Sequence, residues 1–278
     1  MLSLMYITNR PEVALTAEAA GVDRVLVDLE FIGKEERQAG LDTVKSRHRI
    51  GDVGALSGVL TRAELMVRVN PVHRALPDYP SSREEIERVL GLGAERIMLP
   101  YFRTVREAEI FLALVDGRAK TTLLLETPEA VSALDGILAL PGIDEMFVGL
   151  NDLSLGYGMR FMFEPLADGT VDALAARFRE RGLPFGFGGI ASLGRGLLPA
   201  EYVISEHYRL GSSSAILSRS FCDASAVTDP EALSAVFRKG VGEIRAWEAE
   251  CGRHRAFFED NRRQVSDRVS AVCGGRRA

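Results

Sequence analysis

Short β-rich runs alternate with longer helix-like segments along the whole chain, and this alternation constrains the fold more than any other feature of the sequence. The runs are Leu2–Thr8, Arg24–Glu30, Glu64–Asn70, Arg96–Tyr101, Thr121–Thr127, Glu145–Asn151, Pro184–Gly189 and Ser214–Phe221. Helical patterns follow them, among others over Pro11–Ala20, Arg83–Leu92, Val105–Val115, Pro128–Leu140, Val171–Arg181 and Pro199–Tyr208. Repeated βα units build a parallel sheet, and eight strands close more readily into a (β/α)8 TIM barrel than they lie in an open doubly wound sheet. Glycines placed where helices end, at Gly21, Gly93 and Gly142, support the same division. The stretch from Gly33 to Ala63 is long for one crossover and predicts two short helices.

A chain of 278 residues suits one barrel with an appendage. The expected division is a barrel core over 1–229 and a helical extension over 230–278, because helical patterning runs almost unbroken from Pro230 to Val272. Leu233, Val236, Phe237, Val241, Ile244 and Trp247, and then Phe257, Phe258, Val265, Val269 and Val272, offer more apolar face than one barrel flank can bury. That excess is expected to contribute to a homo-oligomer.

Composition excludes several classes. The net charge is −5 and no basic face is marked out, which argues against a nucleic-acid partner. No apolar run reaches the roughly 18 residues of a membrane span, and the first residues lack the basic start of a signal peptide. Cys222, Cys251 and Cys273 are odd in number and widely spaced, as free thiols of a reducing compartment would be. A cytoplasmic location is the expectation.

Alternate residues of a barrel strand point inward, and catalytic groups come from the strands' C-terminal ends. In Arg24–Glu30 the apolar parity Val25, Val27, Leu29 faces the helices, which turns Asp28 and Glu30 inward. The same rule places Arg68 and Asn70 inside the third strand and Glu126 near the top of the fifth, while Asn151 and Asp152 close the sixth. Five ionisable groups, Asp28, Glu30, Arg68, Glu126 and Asp152, thus converge on one mouth. Separately they could be helix caps or a structural ion network. Together they carry surplus negative charge, for which a divalent cation is the natural remedy. Carboxylates without a histidine cluster suit a hard, oxygen-loving ion, Mg²⁺ or Mn²⁺. A 2-keto acid can offer such an ion a carboxylate and a ketone oxygen.

At these positions the chain resembles the HpcH/HpaI aldolase/citrate lyase family. The likeness rests on Gly21-Val-Asp-Arg-Val-Leu-Val-Asp-Leu-Glu30, Val67-Arg-Val-Asn70, Ile97-Met-Leu-Pro100, Leu124-Leu-Glu-Thr-Pro128 and Phe147-Val-Gly-Leu-Asn-Asp-Leu-Ser154, and it spans most of the barrel. The resemblance implies a metal-dependent carbon–carbon lyase acting on a pyruvate-like keto acid and an aldehyde, with a CoA-ester lyase as the alternative within the family. It implies that Glu126 and Asp152 hold the metal, that Arg68 polarises the keto oxygen, and that backbone amides near Gly149, Leu150 and Asn151 receive the substrate carboxylate. Asp28 and Glu30 are expected to contact substrate as well. The resemblance further implies that the C-terminal helices pack across subunits of the oligomer. Aldolases of the family carry a histidine base directly after the Asp-x-Glu of the second strand, where this chain has Phe31. His73, five residues beyond Arg68, is the best substitute by position, against the plainer reading of a surface-loop histidine. A keto-acid binder that has lost its base is the reading from outside enzymology.

Overall fold

The computed structural model describes residues 1–34, 48–227, 229–253 and 257–275. Eight parallel strands close in sequence order into one barrel. They are β1 (Ser3–Ile7), β2 (Arg24–Asp28), β3 (Glu64–Arg68), β4 (Arg96–Leu99), β5 (Lys120–Leu125), β6 (Glu145–Val148), β7 (Phe185–Ile190) and β8 (Ser214–Leu217). Around them run α1 (Pro11–Ala19), α2 (Ile50–Ser57), α3 (Ser82–Gly91), α4 (Val105–Val115), α5 (Pro128–Ser132), α6 (Leu134–Leu138), α7 (Leu150–Gly156), α8 (Glu164–Ala167), α9 (Thr170–Glu180) and α10 (Ala200–Leu210). The chain ends in α11 (Pro230–Arg253) and α12 (Phe258–Gly275). Of the two short helices expected between Gly33 and Ala63, α2 is one, and residues 35–47 lie outside the described residues.

The inward parity read from the sequence holds. Met5, Leu26, Met66, Met98, Leu124 and Phe147 form an apolar plug inside the barrel, separate from the larger core between strands and helices. A Cβ at Gly186 would lie 2.5 Å from the Phe147 ring, so glycine there is what admits that ring to the interior. Below the plug, Glu145 accepts from Arg24 at 2.8 and 3.0 Å, from Thr122 at 3.0 Å and from Ser214 at 2.7 Å. Arg96 and Glu64 complete this floor, so every buried charge in it has a partner. Above the plug lies the mouth.

The pattern expected as one helix over Pro128–Leu140 divides at Ala133, and the long C-terminal pattern divides into α11 and α12. α11 occupies the eighth helical position, against α1 and α10. Phe237 meets Tyr6 edge-on at 4.8 Å, and Arg245 reaches the Leu2 carbonyl and Asp23. α12 packs on α10 and α8 and buries Val265 and Val269. The apolar residues at the centre of both faces are therefore covered within one chain. No helix among the described residues is long and apolar enough to cross a membrane.

Candidate active site

The mouth is organised around one fork. Asp28 and Arg68 are register partners on β2 and β3, so their inward side chains meet directly. Arg68 donates from Nε to Asp28 Oδ1 at 2.8 Å and from Nη2 to Oδ2 at 2.7 Å, the bidentate geometry that fixes a guanidinium plane. Burial alone would raise the Asp28 pKa, but Arg68 and then Lys34 outweigh it and hold the carboxyl well below the usual range. Arg68 is correspondingly held charged.

Glu126 follows β5 and is in the opposite situation. Burial, then the carboxylates of Glu30 and Asp152, push its pKa well above the ordinary value, and Arg68 and one backbone donor offset this only in part. That donor is the amide of Tyr101, 2.9 Å from Oε1. The sequence pattern extends the fourth strand to Tyr101, but the strand stops at Leu99 and Tyr101 turns left-handed, with φ of 46°. Gly149 adjoins the other oxygen: a Cβ there would lie 2.5 Å from Oε2 of Glu126 and 2.7 Å from its Cβ. Asp152 lies in the first turn of α7 and is buried, with Asn151 donating to Oδ1 at 3.2 Å.

These groups open on a cavity of about 190 Å³ over an apolar floor of Leu124, Phe147 and Ile216. Glu30, Arg68, Glu126, Gly149, Leu150, Asn151 and Asp152 all line it, so the structure brings together most of the residues singled out in the sequence. Asp28 does not line it. With both oxygens engaged by Arg68 and Lys34, Asp28 orients cations and is not placed to touch a substrate, which corrects the expectation of direct contact.

His73 needs the larger correction, because it lies outside the cavity lining. Its ring nitrogens sit 2.7 Å from the Pro71 carbonyl and 2.9 Å from the Pro80 carbonyl, tying together the loop between β3 and α3. Two cationic or basic groups went unremarked in the sequence. His48 accepts the Asp28 backbone amide at Nδ1, 3.0 Å away, and burial lowers its pKa despite Asp28 and Asp52 nearby. Lys34 is buried, lines the cavity, and lies 2.9 Å from Asp28 Oδ2 and 3.4 Å from Glu30 Oε2. A lysine four residues beyond an inward glutamate was the available signal.

The fit of a cation can be judged from these charges. Among the described residues, the mouth gathers the carboxyl groups of Asp28, Glu30, Glu126 and Asp152 beside the cations Arg68 and Lys34, and burial followed by the carboxylates of Glu30 and Asp152 is what raises the Glu126 pKa. Among the described residues no group of three or more His, Cys, Asp or Glu side chains forms a metal cage. Two carboxylates on a partly open cavity do fit a hard divalent ion that keeps most of its water, since Mg²⁺-type sites need few protein ligands.

An eight-stranded parallel barrel with acidic and cationic groups gathered at the C-terminal ends of its strands is the frame of a TIM-barrel enzyme. The family model described as HpcH/HpaI aldolase/citrate lyase matches residues 2–162, more than half of the chain, and the protein belongs to that family of lyase- and aldolase-type enzymes. No curated protein matches the sequence. Among solved structures it is similar to an HpcH/HpaI aldolase from Desulfitobacterium hafniense, with 18% identity, TM-score 0.58, and 88% of this chain and 93% of that one covered. It is also similar to an HpcH/HpaI aldolase/citrate lyase family protein from Burkholderia cenocepacia, with 16% identity, TM-score 0.59 and coverages of 88% and 95%. The citrate synthase SbnG aligns at 18% identity and TM-score 0.57, covering 78% of this chain and 87% of its own. At these identities the structural likeness speaks for the fold.

Proposed function

We propose that this protein is a divalent-metal-dependent carbon–carbon lyase of the aldolase type, acting on a pyruvate-like 2-keto acid with an aldehyde as the second reactant. The observation that carries the reading is the gathering of buried carboxyl groups at the cavity wall, Glu126 beside Asp152 and Glu30. Glu126 and Asp152 would hold Mg²⁺ or Mn²⁺. Such an ion, when bound, supplies the Lewis acidity that favours an enolate of the keto acid.

The chain's own residues would do the rest. Asp28 holds the Arg68 guanidinium in one plane, so a fixed positive charge faces the place where the keto oxygen becomes negative, without reorganisation during the reaction. The first-turn amides of α7, at Leu150 and Asn151, would receive the substrate carboxylate at the positive end of the helix. Leu124, Phe147 and Ile216 exclude water beneath the reacting carbons, which strengthens each of these interactions.

The test is pyruvate release from 4-hydroxy-2-keto acids in Mg²⁺ or Mn²⁺, with and without chelator, beside calorimetry of Mn²⁺ binding to Glu126→Gln and Asp152→Asn. Metal-dependent turnover is expected, with at least a tenfold loss of Mn²⁺ affinity in each variant, equivalent to about 1.4 kcal/mol. Undiminished affinity in either variant would end the metal assignment. Pyruvate binding without turnover would mark a binder instead of an enzyme.

A further inference from the structure

Phe31 occupies the position of the family's usual base, and the turn that carries it shows where its replacement lies. The Phe31 and Ile32 amides both donate to Asn70 Oδ1, at 3.0 and 3.1 Å, and the Lys34 amide donates to the Phe31 carbonyl at 3.1 Å. Gly33, with φ of 71°, takes the left-handed conformation that closes this turn. The Phe31 ring points out of the mouth and stands edge-on against Tyr79 at 4.8 Å. The same turn brings Lys34 back inward, where its ammonium lies against Asp28 and Glu30 on the cavity wall. An ammonium has three donors. One is donated to Asp28 Oδ2 and Glu30 lies within ion-pair distance at 3.4 Å, and among the described residues no other group pairs with this ammonium.

Resting on the aldolase reading, we propose that Lys34 is the catalytic proton carrier of this site, reaching the mouth from the following turn in place of the imidazole. The other groups on the wall are unsuited. Arg68 does not release its proton, Glu126 and Asp152 are the proposed cation ligands, and Glu30 is ion-paired with Lys34 and Arg68 at 3.4 and 3.6 Å. His73 and His48 do not line the cavity.

In the cleavage direction the Lys34 amine takes the proton of the substrate's C4 hydroxyl. The O–H electrons become the new C=O bond of the aldehyde, the C3–C4 bond breaks, and its electron pair passes into the enolate of the keto acid. The ammonium then returns the proton to C3, giving the methyl group of pyruvate and restoring the amine. The cycle starts from the neutral amine and regenerates it, so one proton passes from the C4 hydroxyl to C3 and none is left over. Asp28 is shared by Lys34 and Arg68 at the same oxygen, Oδ2, at 2.9 and 2.7 Å, which keeps the proton carrier beside the group that faces the keto oxygen.

Three variants separate proton transfer from charge. Lys34→Arg keeps a cation near Asp28 and Glu30 but cannot release a proton, and Lys34→Ala leaves room for a small amine. Both should lose about 10²-fold in pyruvate release and in exchange of pyruvate methyl protons for deuterium, the usual size of general acid–base help. Mn²⁺ affinity should stay within a factor of two or so of the parent protein, and added methylamine or ethylamine should restore Lys34→Ala in proportion to amine basicity. His73→Ala serves as the control and should keep its rate. Near-parental rates in Lys34→Arg, or a folded, Mn²⁺-binding Lys34→Ala that amines do not restore, would overturn the proposal. If Lys34→Ala does not fold, Lys34→Arg alone decides. A parent protein that neither releases pyruvate nor exchanges its protons would instead sink the aldolase reading itself.

Discussion

Each titratable side chain at the mouth is set by what lies within a few ångströms of it, and Glu126 shows the consequence for stability. Its pKa is raised in the folded state. Above the ordinary value of 4.5, the native protein therefore keeps a proton on Glu126 that the unfolded chain has released. Stability from this group is fully present below that value and is lost as pH rises through the folded pKa. A bound divalent ion acts the other way, because it needs the carboxylate form. Glu126→Gln should accordingly raise the melting temperature of metal-free protein at neutral pH by roughly 2–4 °C, about 1 kcal/mol. It should also abolish the increment that Mn²⁺ gives the parent protein, an increment expected to grow as pH rises from the ordinary carboxylate range through the raised pKa of Glu126. Scanning calorimetry with and without Mn²⁺ checks both signs. Asp28 has the reverse dependence: its pKa is depressed by Arg68 and Lys34 against burial, so its stabilisation is present above the ordinary carboxylate range and is lost on the acid side.

At the scale of elements, the junction between β6 and α7 is where packing and chemistry are hardest to separate. Gly149 lets the backbone run so close to Glu126 that a methyl group would meet both the carboxylate and its Cβ. Gly149→Ala should displace Glu126, weaken Mn²⁺ at least tenfold, or about 1.4 kcal/mol, and cost stability of order 1–3 kcal/mol, as overpacking does. Calorimetric Mn²⁺ titration and urea unfolding of the same variant would show it. Full Mn²⁺ affinity would mean that the junction has slack. β3 makes the complementary point, because Arg68 is placed at the mouth by strand register whereas His73, in the loop just beyond, is taken up by loop carbonyls.

For the whole molecule, the two C-terminal helices decide how the barrel is closed and how it could assemble. α11 seals the gap beside α1, and α12 covers α10, where Asn261 donates to the Tyr202 carbonyl at 3.1 Å and to Glu206 at 2.8 Å. Removing residues 254–278 would uncover Val265 and Val269 contacts and leave Glu206 with Arg209 as its remaining partner. Losing two buried valines costs roughly 3–6 kcal/mol, so the melting temperature should fall by about 10 °C. If α12 packs within its own chain, that loss is the same at every protein concentration; a loss that grows on dilution would instead show the helix exchanged between subunits. Light scattering on the full chain tests the homo-oligomer expected from the sequence, which would then use faces other than those already buried under α11 and α12.

The local rules of the chain settled a good part of this protein. Strand number, inward parity and helix-ending glycines follow from periodicity and backbone preference, which act over a few residues, and they led to the barrel and to Glu30, Arg68, Glu126 and Asp152 on one wall. The family motifs added the roles proposed for them. Only the tertiary structure decided that Lys34 turns in while Phe31 turns out, that His73 is tied to two loop carbonyls, and that Asp28 serves Arg68 instead of facing the cavity. It alone decided, too, that the surplus apolar face of the last two helices is met largely within the chain. Those outcomes depend on where a turn closes and which partners are within reach once distant strands are side by side, and neither is encoded in the spacing of residues along one segment.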